Sequence, residues 1–150
     1  MNNSVQIIKL YGITKDPESS NFMMVMDYAQ DGNLRQKLNR NFNTLNWGNK
    51  LDILSDITRG LSDIHEKGLT HQDFHSGNIL SSDTSSIRNR ITDLGLCKPA
   101  NEECNKNKKV YEVLPYVAPE VLSGKQYTKE SDVYSLEIII YEVINGLPPY

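Results

Sequence analysis

Asp73, Asn78 and Asp93 carry the side-chain types and the spacing from which phosphoryl-transfer chemistry can be built. Moving a phosphoryl group requires a carboxylate to orient the attacking hydroxyl, and oxygen ligands to hold magnesium against the phosphates. Asp73 can serve as the base or orienting group. Asn78, five residues on, and Asp93 supply amide and carboxylate oxygens of the kind a hard cation prefers. Singly, each residue would serve equally well as a turn former. The set gains weight from its setting: His71-Gln72-Asp73-Phe74-His75-Ser76-Gly77-Asn78, then Asp93-Leu94-Gly95, then Ala118-Pro119-Glu120 after a long polar stretch.

The surrounding pattern predicts the elements that must hold these residues. Val5 to Gly12 reads as a short strand, Asp16 to Ser20 as a polar turn and Phe22 to Tyr28 as a second strand, together a β-hairpin. Asp31-Gly32 breaks the chain before a short helix around Leu34 to Leu38. Asn46 is placed to cap a long helix from Trp47 to about Lys67, with Gly68 ending it. Leu51, Leu54, Ile57, Leu61 and Ile64 recur at steps of three and four and form its apolar stripe. Leu69 to Leu96 is too interrupted for a helix, and Ser81 to Ser86 reads as the turn of another hairpin. Pro99 to Val113 is polar without amphipathic period and is expected to be an exposed loop. Thr128 is placed to cap a last helix reaching Asn145, whose apolar residues cover nearly its whole circumference, so it is expected to be buried on most sides.

Composition excludes several classes. The 150 residues are 38 % hydrophobic and 23 % charged, ordinary values for a folded soluble domain. Sixteen basic and nineteen acidic residues give a net charge of −3, so no broad positive field points to nucleic acid or an anionic membrane. No apolar run is long enough to span a bilayer, and Met1 to Leu10 lacks the pattern of a leader peptide. Cys97 and Cys104 stand in no four-ligand spacing with the three histidines, and read as free thiols in a reducing, cytoplasmic setting.

Taken together, the three spaced motifs resemble the catalytic loop, metal-binding loop and activation-segment end of protein kinases. The phrases Phe74 to Leu80 and Leu114 to Leu122 look closest to tyrosine-kinase-like kinases, notably fungal ones. The resemblance implies an α+β, protein kinase-like fold, truncated, with a mainly helical large lobe and a remnant β-hairpin of the small lobe. Residues 1–28 would be the small-lobe strands and hinge, and residues 29–150 the large lobe without its last helices. It implies ATP and Mg2+ as cofactors and a protein hydroxyl as acceptor. Asp73 would orient that hydroxyl, Asn78 and Asp93 would bind magnesium, and His75 would stand where a phosphate-touching lysine is usual, with a charge only partly present near neutrality. Phe22 to Ala29 looks like the strand entering the hinge. Met26 would then be the gatekeeper, Asp27 and Ala29 would meet the adenine edge through backbone groups, Asn33 would lie near the ribose, and Leu80 would pack beneath the base. Leu10, His71 and Leu94 match the apolar column that couples the lobes, and Asp132 matches the buried carboxylate that braces the catalytic-loop backbone.

The chain also departs from that pattern. No Gly-x-Gly-x-x-Gly loop or Val-Ala-x-Lys strand precedes Val5, so the resemblance covers roughly the middle half of such a domain, and phosphate transfer by this chain alone is expected to be weak or absent. Gln72 replaces the arginine that would pair with a phosphorylated activation loop, and Leu96 to Glu120 contains no serine or threonine. Glu137 replaces a glycine of close helix packing. These departures keep open a second reading, a pseudokinase or truncated scaffold that binds protein partners without catalysis. Apolar faces at Ile7, Met24, Ile139 and Ile140 are expected to be left open, which would favour self-association.

Overall fold

Asparagine and threonine caps decide where the helices begin. A computed structural model describes residues 4–82, 89–94, 98–99 and 113–149. Asn33 opens α1 (Leu34–Asn41), Asn46 opens α2 (Trp47–Glu66), and Thr128 opens α4 (Lys129–Asn145). Each cap is reciprocal: its side chain accepts the amide three residues on, and that residue's side chain accepts the cap's own amide. A single turn, α3 (Pro119–Leu122), starts on a proline whose missing amide costs nothing there.

Among the described residues the strands form three separate antiparallel pairs: β1 (Leu10–Lys15) with β2 (Phe22–Met26), β3 (Leu69–Thr70) with β6 (Lys98–Pro99), and β4 (Ile79–Ser81) with β5 (Asn89–Ile91). The first hairpin begins later than its sequence suggests. Strand pairing starts at Leu10 with a bulge before Gly12 and runs on to Lys15, while Ile7, upstream, bridges to Ile91 instead. The turn at Asp16 is as expected, closed by bonds from Asp16 N to Asn21 O and from Ser20 N to Asp16 O.

Helix α2 is the spine. Its buried face is Ile53, Ile57, Leu61 and Ile64, packed with Leu34, Leu38, Phe74, Ile79, Ile91, Leu136, Ile139 and Val143. Each such side chain taken from water contributes roughly 1.5–3 kcal/mol. The stripe is turned slightly from the one the spacing suggests: Leu51 is exposed and Ile53 takes its place inside. Gly60 sits where α2 presses closest on the chain, since a Cβ there would lie 2.7 Å from Ile91 Cδ1 and 3.2 Å from Gln6 O. That close approach explains a glycine in mid-helix, where it costs about 1 kcal/mol of intrinsic propensity.

Helix α4 is less enclosed than its composition implies. Leu136, Ile139 and Val143 are buried, whereas Val133, Tyr141 and Ile144 are exposed. Glu137 also faces out, so its charge stays in water and no close contact is lost. Ile7 and Ile139 are buried, against the expectation that they would be open, because Ile7 docks on β5 and Ile139 faces α2 in the core. Met24 is 65 % exposed, and with Ile13, Phe22 and Val25 it leaves the β1–β2 hairpin uncovered. Leu10 is 42 % exposed, whereas His71 is buried and Leu94 packs against the core. Most of the 81–86 turn and of the polar stretch 99–113 lies outside the described residues.

Candidate active site

The segment between β3 and β4 is a tight turn whose shape is fixed from both sides. His71 is fully buried and bridges two pieces of backbone: its Nε2 lies 3.0 Å from Thr92 O, and its Nδ1 accepts the Asp73 amide at 3.3 Å. These partners require the neutral imidazole with the proton on Nε2. Burial, the leading cause, pushes the His71 pKa below its usual value and favours that neutral form. Thr92 in turn donates its amide to Asn78 O at 2.9 Å. Asn78 Nδ2 donates to Asp73 O at 2.9 Å and lies 3.4 Å from Asp73 Oδ2. Asp73, Asn78 and the residue before Asp93 are thus joined by one hydrogen-bonded circuit, which brings the three sequence-predicted polar residues to one place.

Backbone strain marks the same place. Gln72 at φ 66° and Asp93 at φ 59° are left-handed without being glycine, a conformation that costs about 1–3 kcal/mol and persists only where the surroundings impose it. At Gln72 the imposing group is Asp132. Its carboxylate accepts the amides of His71 at 2.7 Å and Gln72 at 3.1 Å, as the resemblance implies, and a hydrogen bond with His65 Nε2 at 2.9 Å completes its partners. Gln72 is buried and donates its side-chain amide to Thr70 Oγ1 at 3.1 Å, so it is committed to the loop's own structure.

His75 behaves differently from a fixed cation. Its Nδ1 accepts the Gly77 amide at 3.1 Å, which requires a lone pair there and leaves the proton on Nε2. In this conformation it is a neutral hydrogen-bond donor.

The predicted nucleotide-facing residues run from the end of β2 to the cap of α1, with Leu80 on β4. Met26 and Asp27 are half-buried at the end of β2, Ala29 follows, and the Asn33 backbone bridges to Leu80 on β4. Asn33 Oδ1 is taken by the Gln36 amide at 2.9 Å, so its capping role occupies that oxygen. Two amides stitch the segment down: Asp31 N to Ser81 O at 3.3 Å and Ser81 N to Gly32 O at 2.8 Å.

For a magnesium ion the available donors are the exposed Asp93 carboxylate and Asn78 Oδ1, the end of that amide left once Nδ2 turns into the loop. Among the described residues no group of three His, Cys, Asp or Glu gathers to form a complete protein-made metal cage. That inventory fits magnesium, which takes one or two protein oxygens and completes its shell with phosphate and water.

Sequence reasoning missed a buried cluster behind the loop. Glu142 of α4 is buried and accepts the Tyr116 hydroxyl at 2.7 Å. Arg35 of α1 places Nε 3.5 Å from Glu142 Oε1 and 3.3 Å from Ser76 Oγ, and its Nη2 donates to the Tyr116 hydroxyl. Ser135 Oγ donates to Tyr116 O at 2.6 Å. Four elements are joined here, and each buried polar group is satisfied. The available signal was Glu142 itself, a charge inside the apolar stretch 138–144 of α4, which can be buried only with partners.

Comparison with known proteins agrees with this geometry. The protein kinase domain model matches residues 1–150. The serine/threonine-protein kinase ste20 of Aspergillus oryzae is 35 % identical over 127 residues, 85 % of this chain and 14 % of that protein. The serine/threonine-protein kinase pakA of Talaromyces marneffei is 35 % identical over 85 % of this chain and 19 % of its own length. The serine/threonine-protein kinase shk1/pak1 of Schizosaccharomyces pombe is 35 % identical over 131 residues, 87 % of this chain and 19 % of that protein. The chain therefore spans less than a fifth of the length of these relatives, and over that span it belongs to the protein kinase domain family.

Proposed function

We propose that this chain supplies the catalytic-loop region of a protein kinase, moving the γ-phosphate of ATP to a serine or threonine hydroxyl of a protein. The observation that carries the reading is the circuit through Thr92, which draws the Asp93 segment against the loop bearing Asp73 and Asn78. The acceptor class follows the relatives, which are serine/threonine-protein kinases.

In this reading Asp73 orients the acceptor hydroxyl and takes its proton as the new P–O bond forms and ADP leaves. Asn78 holds Asp73 in place through Nδ2, and its carbonyl oxygen together with Asp93 would hold Mg2+. When bound, the ion would neutralise charge on the phosphates. His75, with its proton on Nε2, offers a neutral hydrogen bond to the transferring phosphate. The backbone of Asp27 and Ala29 meets the adenine edge, flanked by Met26 and Leu80, with Asn33 near the ribose. Residues 1–28 are read as small-lobe strands and hinge, and residues 29–150 as large lobe. A cytoplasmic setting, with ATP supplied and thiols reduced, goes with this reading, as does the absence of any broad positive field for nucleic acid.

Beyond the protein substrate, the exposed β1–β2 hairpin is proposed as a surface for self-association, since Ile13, Phe22 and Met24 are 67 %, 78 % and 65 % exposed. Among the described residues no helix is long and apolar enough to cross a membrane. The matching relatives favour the kinase reading over a scaffold without catalysis.

Calorimetric titration of ATP into the full chain, with and without magnesium, tests the site. Saturable binding that requires magnesium and is lost in Asp93→Asn is expected. Folded protein that binds no nucleotide would overturn the reading.

A further inference from the structure

Side chains from two separate strands meet on Asp27, the first residue after β2. Tyr11 of β1 donates its hydroxyl to Asp27 Oδ1 at 2.5 Å, and Arg90 of β5 places Nη1 3.2 Å from Asp27 Oδ2. Both carboxylate oxygens are therefore held, one by a residue of each strand. The hydrogen bond to Asp27 is the leading cause that raises the Tyr11 pKa, so the hydroxyl stays a donor at neutral pH.

The register gives these contacts a direction. Leu80 and Arg90 are directly opposed in the β4–β5 pair, so their side chains share one face. Arg90 reaches Asp27 from that face, which places the Asp27 segment over the side of the hairpin that carries Leu80. The same hairpin is fastened by backbone bonds on both sides of the segment: Ile8 N to Ile91 O at 2.9 Å before it, and Ser81 N to Gly32 O at 2.8 Å after it. Between those anchors the chain gains little from burial, since Tyr28 is 86 % exposed. Asp27 N donates to Lys9 O at 3.0 Å, and the two contacts on the Asp27 carboxylate add a side-chain fastening to that backbone bond.

We infer that Arg90 and Tyr11 are positioning residues for nucleotide binding, clamping Asp27 so that its backbone and Leu80 keep the gap a flat purine base requires. The inference rests on the nucleotide reading proposed above and adds to it the device that presets the adenine slot. A preset slot saves the ordering cost that a loose segment would pay on binding. The ion pair is about one quarter exposed on each side, with Arg90 at 26 % and Asp27 at 25 %, so its grip weakens as ionic strength rises.

The test uses adenosine, which has no phosphate and so removes any general attraction between Arg90 and a charged ligand. Adenosine and magnesium-ATP are titrated calorimetrically into the full chain and into Arg90→Gln, Arg90→Lys and Tyr11→Phe, with amide hydrogen exchange read across residues 26–32. Arg90→Gln is expected to weaken both ligands about tenfold and Tyr11→Phe about threefold. Arg90→Lys should recover part of the loss. Exchange should quicken in residues 27–30 while α2 and α4 keep their protection, a pattern that general destabilisation would not give. Unchanged affinity and exchange in Arg90→Gln would overturn the inference and leave nucleotide binding intact. A folded wild-type chain that binds neither ligand would overturn both. Should Arg90→Gln fail to fold, Tyr11→Phe, altered at a side chain 60 % exposed, decides the matter by the same two readouts.

Discussion

Asp132 holds Gln72 in a left-handed backbone conformation from sixty residues away, its Oδ1 accepting the Gln72 amide at 3.1 Å while Gln72 sits at φ 66°. The carboxylate does this as a pure acceptor. Oδ2 takes the His71 amide at 2.7 Å and pairs with His65 at 2.9 Å, so every neighbour of Asp132 is a donor. Asp132→Asn would keep the shape but turn an NH2 group toward one of those donors. The expected loss is about 1–3 kcal/mol of unfolding free energy, since a buried donor is left unmatched. Urea denaturation of the two proteins measures it. Amide exchange should also show residues 71–78 opening before α2. A variant as stable as the parent would mean that the strained turn is held by something else.

Tyr116 makes stability depend on alkaline pH. Burial, the leading cause, with Glu142 beside the hydroxyl, pushes its pKa from 10.0 up to about 12. The folded state therefore keeps a proton that the unfolded state releases. The contribution is fully present below pH 10 and is lost as pH rises through the folded value, so the window is pH 10 to 12. Two units correspond to at most about 2–3 kcal/mol. Tyr116→Phe should cost stability at pH 7, because Glu142 loses its donor, yet should flatten the decline above pH 10. Comparing urea midpoints of the two proteins at pH 8, 10 and 11 isolates this residue from other tyrosines and lysines that titrate there. Parallel curves would remove Tyr116 as the source.

The parts legible in the sequence were those governed by local chemistry. Asn46 and Thr128 declare helix starts because a capping side chain answers to amides only three residues away. Asp73, Asn78 and Asp93 could be picked out because the motifs that carry them resemble those of protein kinases. Long-range partners were not legible. Nothing near Arg35 in sequence shows that it meets Glu142, more than a hundred residues on, and nothing near Asp27 shows Arg90. The Leu51 and Ile53 exchange has the same origin: a stripe at steps of three and four fixes the apolar face to within part of a turn, and the neighbours that press on α2 choose within it. Ile7 was expected to be open, and nothing near it in the chain shows that its partner is Ile91, across the fold.

Gly146 and Gly68 both take the left-handed conformation at a helix end but differ in what surrounds them, which separates two costs usually measured together. Gly146 is at φ 74° and Gly68 at φ 72°, so alanine strains the backbone equally at both. A Cβ on Gly68 meets nothing within 4 Å, whereas one on Gly146 would lie 2.5 Å from Phe42 Cγ. The Phe42 ring has little room to retreat, because Lys50 Nζ sits 3.9 Å from its centroid and is itself held by Ile144 O at 2.8 Å. Gly68→Ala should therefore cost about 1–2 kcal/mol, the left-handed penalty alone. Gly146→Ala should cost about 2–4 kcal/mol, with overpacking added to the same penalty. Adding Phe42→Leu to Gly146→Ala should bring its cost back toward the Gly68→Ala value, since the smaller side chain leaves space for the methyl group. Equal destabilisation of the two single variants by urea titration would show that the Phe42 ring moves aside freely, and that Lys50 does not fix it.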